Sequence, residues 1–214
     1  MANYERPLMT TVAILLFEDC DLLDVGGPYE VFLTAARLTE RAGEDKAFEV
    51  ITVSPDGFPV TSYGGMGLVP LMAADQLESA DVVVIPGAIA IADVSNRLDV
   101  RASVQHLVDL ASIATSVCTG AFLLGDQNML NDIPWTTHHE DVADLAAHID
   151  STAGKANVRW VDTGDVVTSG GLSSGIAMAL HIVDRLHSRE LATKTAAQIE
   201  YDWDPDAGFT SSTT

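Results

Sequence analysis

Ala114-Thr115-Ser116-Val117-Cys118-Thr119-Gly120-Ala121-Phe122-Leu123-Leu124-Gly125 is the stretch on which the fold turns. Residues 113–117, Ile-Ala-Thr-Ser-Val, read as a buried strand. Thr119 to Leu124 reads as a helix that follows with no loop residue between. A strand running straight into a helix is the arrangement of a nucleophile elbow, where a sharp turn lifts one side chain out of the sheet. Cys118 occupies that turn, and Gly120, two positions on, permits close backbone approach. At a helix N-terminus, free N–H groups and the macrodipole favour an anion. The sequence therefore predicts a lowered thiol pKa and a partly ionised nucleophile. The competing reading is a buried structural cysteine.

Outward from this stretch, runs rich in β-branched residues alternate with amphipathic ones. Thr11–Phe17, Phe48–Val53 and Asp81–Gly87 read as buried strands, the last ending at a Gly turn. Asp24-Val25-Gly26-Gly27-Pro28 reads as a turn, with Pro28 at the first position of a helix running to about Arg41. Pro59 to Pro70 reads as a hairpin or excursion. Asp99–Ala111, Glu140–His148, Ser174–Leu186 and Glu190–Ile199 read as helices. Arg159–Val161 and Val166–Thr168 flank Gly164-Asp165, a hairpin signal. Strand–helix alternation predicts an α/β fold: a single-domain, flavodoxin-like sandwich with a mostly parallel central sheet and helices on both faces. Residues 1–10 read as an N-terminal extension, 11–201 as the domain and 202–214 as a coil tail. Functional groups belong at the carboxyl ends of the strands.

The chain has 214 residues, 47% of them hydrophobic, with 16 Gly and 8 Pro, which excludes disordered and fibrous classes. Eleven Lys plus Arg face 31 Asp plus Glu, a net charge of −20. Only Lys46, Lys155 and Lys194 are lysines. Such a surface repels phosphate backbones and anionic lipid, so neither nucleic acid nor membrane is an expected partner. Dense carboxylates keep a protein hydrated in concentrated salt, where screening removes self-repulsion, and the composition resembles that of proteins from salt-loving organisms. An ordinary acidic surface is the alternative. The apolar run Val12–Phe17 is too short to span a bilayer or to form a signal core, so a cytoplasmic location is expected. Two cysteines, Cys20 and Cys118, build neither a disulfide framework nor a thiolate zinc site.

Ser116-Val117-Cys118-Thr119-Gly120, Ile85-Pro86-Gly87, Thr136-Thr137-His138, Asp24 to Phe32 and Gln198-Ile199-Glu200-Tyr201 together resemble the ThiJ/PfpI superfamily, which is class I glutamine amidotransferase-like. Within it they are similar to the isonitrile hydratases. The similarity runs from Val12 to about Gly208. It implies a hydro-lyase that turns an organic isonitrile into an N-substituted formamide through a Cys118 thioimidate, with no cofactor. It also implies Asp24 beside the thiol as general acid/base, Thr119 orienting the site, and a homodimer. Capping of the following helix is the alternative role for Asp24. Asp21 and Glu30 compete with Asp24, Glu30 being placed in the first helical turn. Thr119, where the peptidase-like branch has His, argues against a Cys–His peptidase.

Gly87, Ala88 and Gly120 are the expected oxyanion and substrate backbone positions. Ala88 replaces the family's usual Gly and would be strained if the position needs a positive φ. Ile89 and Ile91 are expected to make the pocket wall apolar. His138 is a candidate for lining the site. His139 reads as a helix-start residue, and His106, His148, His181 and His187 as ordinary helical residues. No spacing among them forms a metal site, so no metal is predicted. Cys20 reads as a semi-buried loop thiol able to pair with Cys118 on oxidation. Tyr29, Phe32 and Leu33 are candidate dimer-surface positions. Two other readings remain open: a cofactor-free glyoxalase or deglycase using Cys118, His138 and an acidic partner, and a non-catalytic member that senses a ligand or oxidation. The absence of a basic helix-turn-helix pattern before Thr214 argues against direct DNA binding.

Overall fold

The computed structural model describes residues 9–211. Residues 1–8 of the expected N-terminal extension and 212–214 of the expected tail lie outside the described residues. In chain order the elements are β1 (Thr10–Leu15), α1 (Leu22–Arg41), β2 (Phe48–Ser54), β3 (Val60–Thr61), β4 (Gly67–Leu68), β5 (Met72–Ala73), β6 (Ala80–Ile85), α2 (Ile91–Ser95), α3 (Leu98–Leu110), β7 (Ala111–Ser116), α4 (Gly120–Asp126), α5 (Val142–His148), β8 (Trp160–Asp162), β9 (Val166–Ser169), α6 (Ser174–Leu186), α7 (Arg189–Gln198) and β10 (Phe209–Thr210).

Eight strands form one sheet in the order β10-β8-β9-β7-β6-β1-β2-β5. Every pairing is parallel except β8 with β9, the hairpin closed by Gly164 at φ +100°. The small β3–β4 hairpin stands apart, within the glycine- and proline-rich excursion. β1, β6 and β7 lie side by side, and their apolar runs are buried because helices cover both faces. α1, α6 and α7 pack together on one face, and α2, α3, α4 and α5 on the other. This is the expected α/β sandwich. The chain leaves β1 outward to β2 and then returns to β6 on the other side of β1, so the order reverses there, and the loops after β1, β6 and β7 converge at their carboxyl ends.

Two local expectations are corrected. The Gly-Gly-Pro segment is no turn: α1 begins at Leu22 and carries Pro28 inside it, at the seventh position. Proline removes one N–H bond there, but the segment is a helix crossing. A Cβ on Gly27 would lie 2.9 Å from Ile176 of α6, and one on Gly175 would lie 2.8 Å from Val117, with Pro28 at 3.5 Å. Close helix packing overrides the local breaker signal. The tail is likewise not all coil. β10 adds to the sheet beside β8, pairing Phe209 with Val161 and Thr210 with Asp162, and Lys155 Nζ sits 4.9 Å over the Phe209 ring. Among the candidate dimer positions, Tyr29 and Leu33 are exposed, whereas Phe32 is buried with its ring centroid 5.3 Å from that of Phe48.

Gly208 has the Trp160 indole directly against the position a Cβ would take. Gly208→Ala is expected to cost about 1–3 kcal/mol by displacing β10 from this ring. A denaturation midpoint equal to that of the parent would contradict the placement of the C-terminal segment.

Candidate active site

Three strand ends build the site. After β1 the chain turns into α1, which carries Asp21 at its N-cap and Asp24 in its first turn. After β6 come Gly87 and Ala88, and after β7 comes Cys118. Cys118 has φ +56°, a sparsely populated conformation for a side-chain-bearing residue, and that strain is the signature of the elbow. Gly120 is required beside it because a Cβ would strike the Ile85 and Pro86 carbonyl groups. Thr119 is at the N-cap of α4, and its hydroxyl donates to Ala88 O and accepts from Ala88 N–H, both at 2.9 Å. The elbow is therefore laced to the β6 loop. Thr137 Oγ1 donates to Cys118 O at 2.8 Å, and Cys118 N–H donates to Gly170 O at 3.1 Å.

Asp24 is fully buried. Its Oδ2 accepts the Gly87 N–H at 2.9 Å, while Oδ1 has no hydrogen-bond partner. The donor atoms of Asp21, Asp24 and Cys118 all lie within 4.8 Å of one another, although no hydrogen bond joins the Asp24 carboxyl to the thiol. Asp24 is not a helix cap. Glu30 is excluded by position: it lies in the third turn of α1, exposed, accepting from Thr34 Oγ1 at 3.0 Å.

Burial pushes the Asp24 carboxyl up to about 7; the Gly87 N–H opposes this, the Asp21 charge adds to it, and the Leu172 N–H opposes it. Burial also pushes the Cys118 thiol up to about 12, helped by the Asp24 charge and opposed by the Thr119 N–H. The expected lowered thiol pKa is thus reversed. α4 has only seven residues, and the sulfur faces two carboxylates in a site where it is 5% exposed. Asp21 is raised by burial, with the His138 charge lowering it.

The expected oxyanion donors are already engaged. Gly87 N–H serves Asp24, Ala88 N–H serves Thr119 Oγ1, and Gly120 N–H bonds Val117 O at 2.9 Å. Ala88 has no positive φ, so it carries none of the strain its replacement of Gly implied. A Cβ on Gly87 would meet Thr119 Oγ1 and N at 2.5 and 2.8 Å, so that residue has to be glycine. Ile89 is exposed and Ile91 is buried in α2. His138 packs against Gly171 and holds Asp141 Oδ2 at 3.1 Å through Nδ1. Cys20 is fully rather than partly buried and bridges to Ala88, and burial raises its thiol to about 11. Both cysteines are free thiols. Among the described residues two groups offer metal-ligand spacing, Asp21–Asp24–Cys118 and His138–His139–Glu140, each with three donors.

The sequence reading missed Leu172. It has φ +47°, a strained value for a branched side chain, and its N–H points at both the Asp24 carboxyl and the Cys118 sulfur, lowering the pKa of each. The only signal for it was the Gly170-Gly171 break before α6.

An α/β sandwich with a strained cysteine at the end of a central strand and a buried carboxyl beside it defines a class of cysteine-elbow proteins. Residues 10–185 match the DJ-1/PfpI family, and the chain belongs to it. An isonitrile hydratase of Pseudomonas putida is 28% identical over 190 residues, 89% of this chain and 78% of that protein. The HTH-type transcriptional regulator GbdR of Pseudomonas aeruginosa is 23% identical over 198 residues; the match takes 90% of this chain and 51% of the regulator. A THiJ/PfpI family protein from Pseudomonas syringae superposes with TM-score 0.78 at 23% identity, covering 95% of this chain and 80% of that one. Drosophila melanogaster DJ-1beta superposes at 0.76 with 15% identity, covering 91% of this chain and all of that one. Among the described residues no helix is long and apolar enough to cross a membrane.

Because the folded-state pKa of Asp24 lies above the ordinary carboxyl value, folding favours its neutral form; that stability is complete below about pH 4 and is lost as pH rises through about 7. Asp24→Asn keeps an acceptor for Gly87 N–H and removes the buried charge. It is expected to exceed the parent in stability by up to about 4 kcal/mol at alkaline pH and to match it in acid. A pH-independent difference in urea midpoints would contradict the assignment.

Proposed function

We propose that the protein is an isonitrile hydratase-like enzyme that converts an organic isonitrile into an N-substituted formamide. The observation that carries this reading is the buried Asp24 carboxyl, one oxygen unpartnered, within 4.8 Å of a thiol that holds its proton. The overall reaction adds water across the isonitrile carbon, and its first step needs a proton at that carbon. A thiol that is protonated at rest supplies that proton.

In the first step the Cys118 S–H bond breaks, sulfur bonds to the terminal carbon, and Asp24 relays the proton to the same carbon, giving a thioimidate. Water then adds to the C=N carbon. Asp24 takes one proton from that water and passes it to nitrogen. The tetrahedral adduct collapses, the C–S bond breaks, and the hydroxyl proton returns to sulfur as the formamide leaves. Thr119 is a positioning residue that ties the elbow to the β6 loop. Leu172 N–H is the donor left for charge developing at the reacting centre. The homodimer and the cytoplasmic location remain part of the proposal.

The glyoxalase alternative needs His138 as a partner for Cys118, but His138 is held by Asp141 and is absent from the cluster around the sulfur. Turnover of p-nitrophenyl isocyanide to the formamide, measured in high salt beside methylglyoxal, tests the reading. Cys118→Ala is expected to abolish product, and Asp24→Asn to lower kcat about 10²- to 10⁴-fold. With Asp24 near 7 and the thiol near 12, kcat/KM is expected to fall about tenfold per pH unit below pH 7. Formamide production unchanged in Cys118→Ala, or methylglyoxal turnover alone, contradicts it.

A further inference from the structure

A cavity of about 330 Å³ lies beside the elbow, lined by Thr137, His138, Gly170, Leu172, Arg159 and Ser173 but by neither Cys118 nor Asp24; Thr137 and Gly170 of its wall bond the Cys118 backbone. No carboxylate lines it. That is unusual in a chain with 31 Asp plus Glu. The cavity between α1 and α7 pairs Arg41 and Lys194 with Glu44 and Glu190, and another beside α5 contains Asp132 and Asp150. Asp141 and Glu140 face His138 Nδ1, in the wall of the cavity beside the elbow, at 3.1 and 4.0 Å, and the Asp24 carboxyl lies behind the Leu172 N–H.

Arg159 is exposed, and its guanidinium meets only neutral partners. Its Nη1 donates to Ser173 Oγ at 3.0 Å and Ser174 Oγ at 3.3 Å, both neutral acceptors. Among the described residues its other guanidinium nitrogens have no partner, and it forms no ion pair. Its backbone is fixed on both sides, with Arg159 N–H on Ala207 O at 2.8 Å and Gly170 N–H on Arg159 O at 3.0 Å. Gly170 O in turn accepts the Cys118 N–H. Arg159, Gly170 and Cys118 thus lie in successive hydrogen-bonded positions just beyond the ends of β8, β9 and β7. Two inter-strand steps place the Arg159 and Cys118 backbones about 10 Å apart. The Arg159 side chain lines the cavity and spans part of that backbone separation, so its planar fork suits a carboxylate joined to the reacting carbon by a short chain. The net charge of −20 opposes an anion from a distance, but screening over about 8 Å in physiological salt leaves the local lining to decide.

We propose that Arg159 clamps a carboxylate of the substrate, so that the isonitriles this site takes are small isocyano acids. This rests on the hydratase reading and names its substrate class. The test compares 3-isocyanopropanoate with neutral n-propyl isocyanide in the parent, Arg159→Met and Arg159→Lys. Calorimetric binding of the products N-formyl-β-alanine and N-propylformamide to Cys118→Ala is measured alongside, all at one ionic strength. The parent is expected to favour the acid by roughly tenfold or more in kcat/KM, through KM. Arg159→Met removes that preference, raising KM for the acid by far more than for the neutral isonitrile, and Arg159→Lys restores part of it. Equal use of the two substrates by the parent, or an equal loss on both in Arg159→Met, overturns the clamp and leaves the hydratase reading standing. If neither isonitrile is hydrated, that reading fails and calorimetry decides the clamp. Tighter binding of N-formyl-β-alanine that disappears on adding Arg159→Met upholds it, and equal binding of the two formamides rejects it.

Discussion

A carboxyl group buried beside a thiol, with one oxygen bonded and the other bare, is the constraint on which the site depends. Asp24 Oδ2 is satisfied by the Gly87 N–H, but nothing satisfies Oδ1. A buried, half-satisfied carboxylate is costly, and the molecule answers by favouring the protonated form near neutral pH. The same desolvation, with the Asp24 charge added, keeps the Cys118 proton on sulfur. A carboxyl that titrates near neutral pH lies within 4.8 Å of a thiol that holds its proton, so in its ionised form it can accept that proton. Such a pair costs stability, and perturbed pairs of this kind cluster at functional sites.

The backbone supplies the geometry. Strain at Cys118 is held in place by the Cys118–Gly170 bond, the Thr137 hydroxyl on Cys118 O, and the reciprocal Thr119–Ala88 pair. Gly87 and Gly120 allow the β6 loop and the elbow to touch with no Cβ between them. Because β8 and β9 extend the sheet beyond β7, Arg159 reaches the same end of the sheet from a distant part of the sequence. The site is thus an edge-to-centre assembly along one end of a parallel sheet.

Much of this was legible in the sequence because burial on both faces writes continuous apolar strands. β1, β6 and β7 stood out for that reason, and Cys118 stood out because a strand met a helix with no loop. Asp24 was legible through its place after β1 and through the family resemblance. Other features depend on tertiary contacts that no local pattern records. Pro28 sits inside α1 where α6 crosses it, and β10 pairs with β8 just after Gly208, whose lack of a Cβ lets the chain pass against the Trp160 indole. The thiol pKa followed the wrong local rule: a short helix with two carboxylates nearby cannot offset burial. Of the amides expected to hold an oxyanion, Gly87 and Ala88 are engaged by side chains and Gly120 by the Val117 carbonyl, while the N–H that faces both Asp24 and Cys118 belongs to Leu172, in the loop before α6.

The protonated state of the resting thiol is the central claim, and ultraviolet titration of the thiolate tests it most directly. The difference spectrum between the parent and Cys118→Ala, followed from acid to alkaline pH, is predicted to show no thiolate step below about pH 9. A step with its midpoint near or below neutrality would mean that Cys118 is ionised at rest, and would contradict the coupling of a neutral thiol to Asp24.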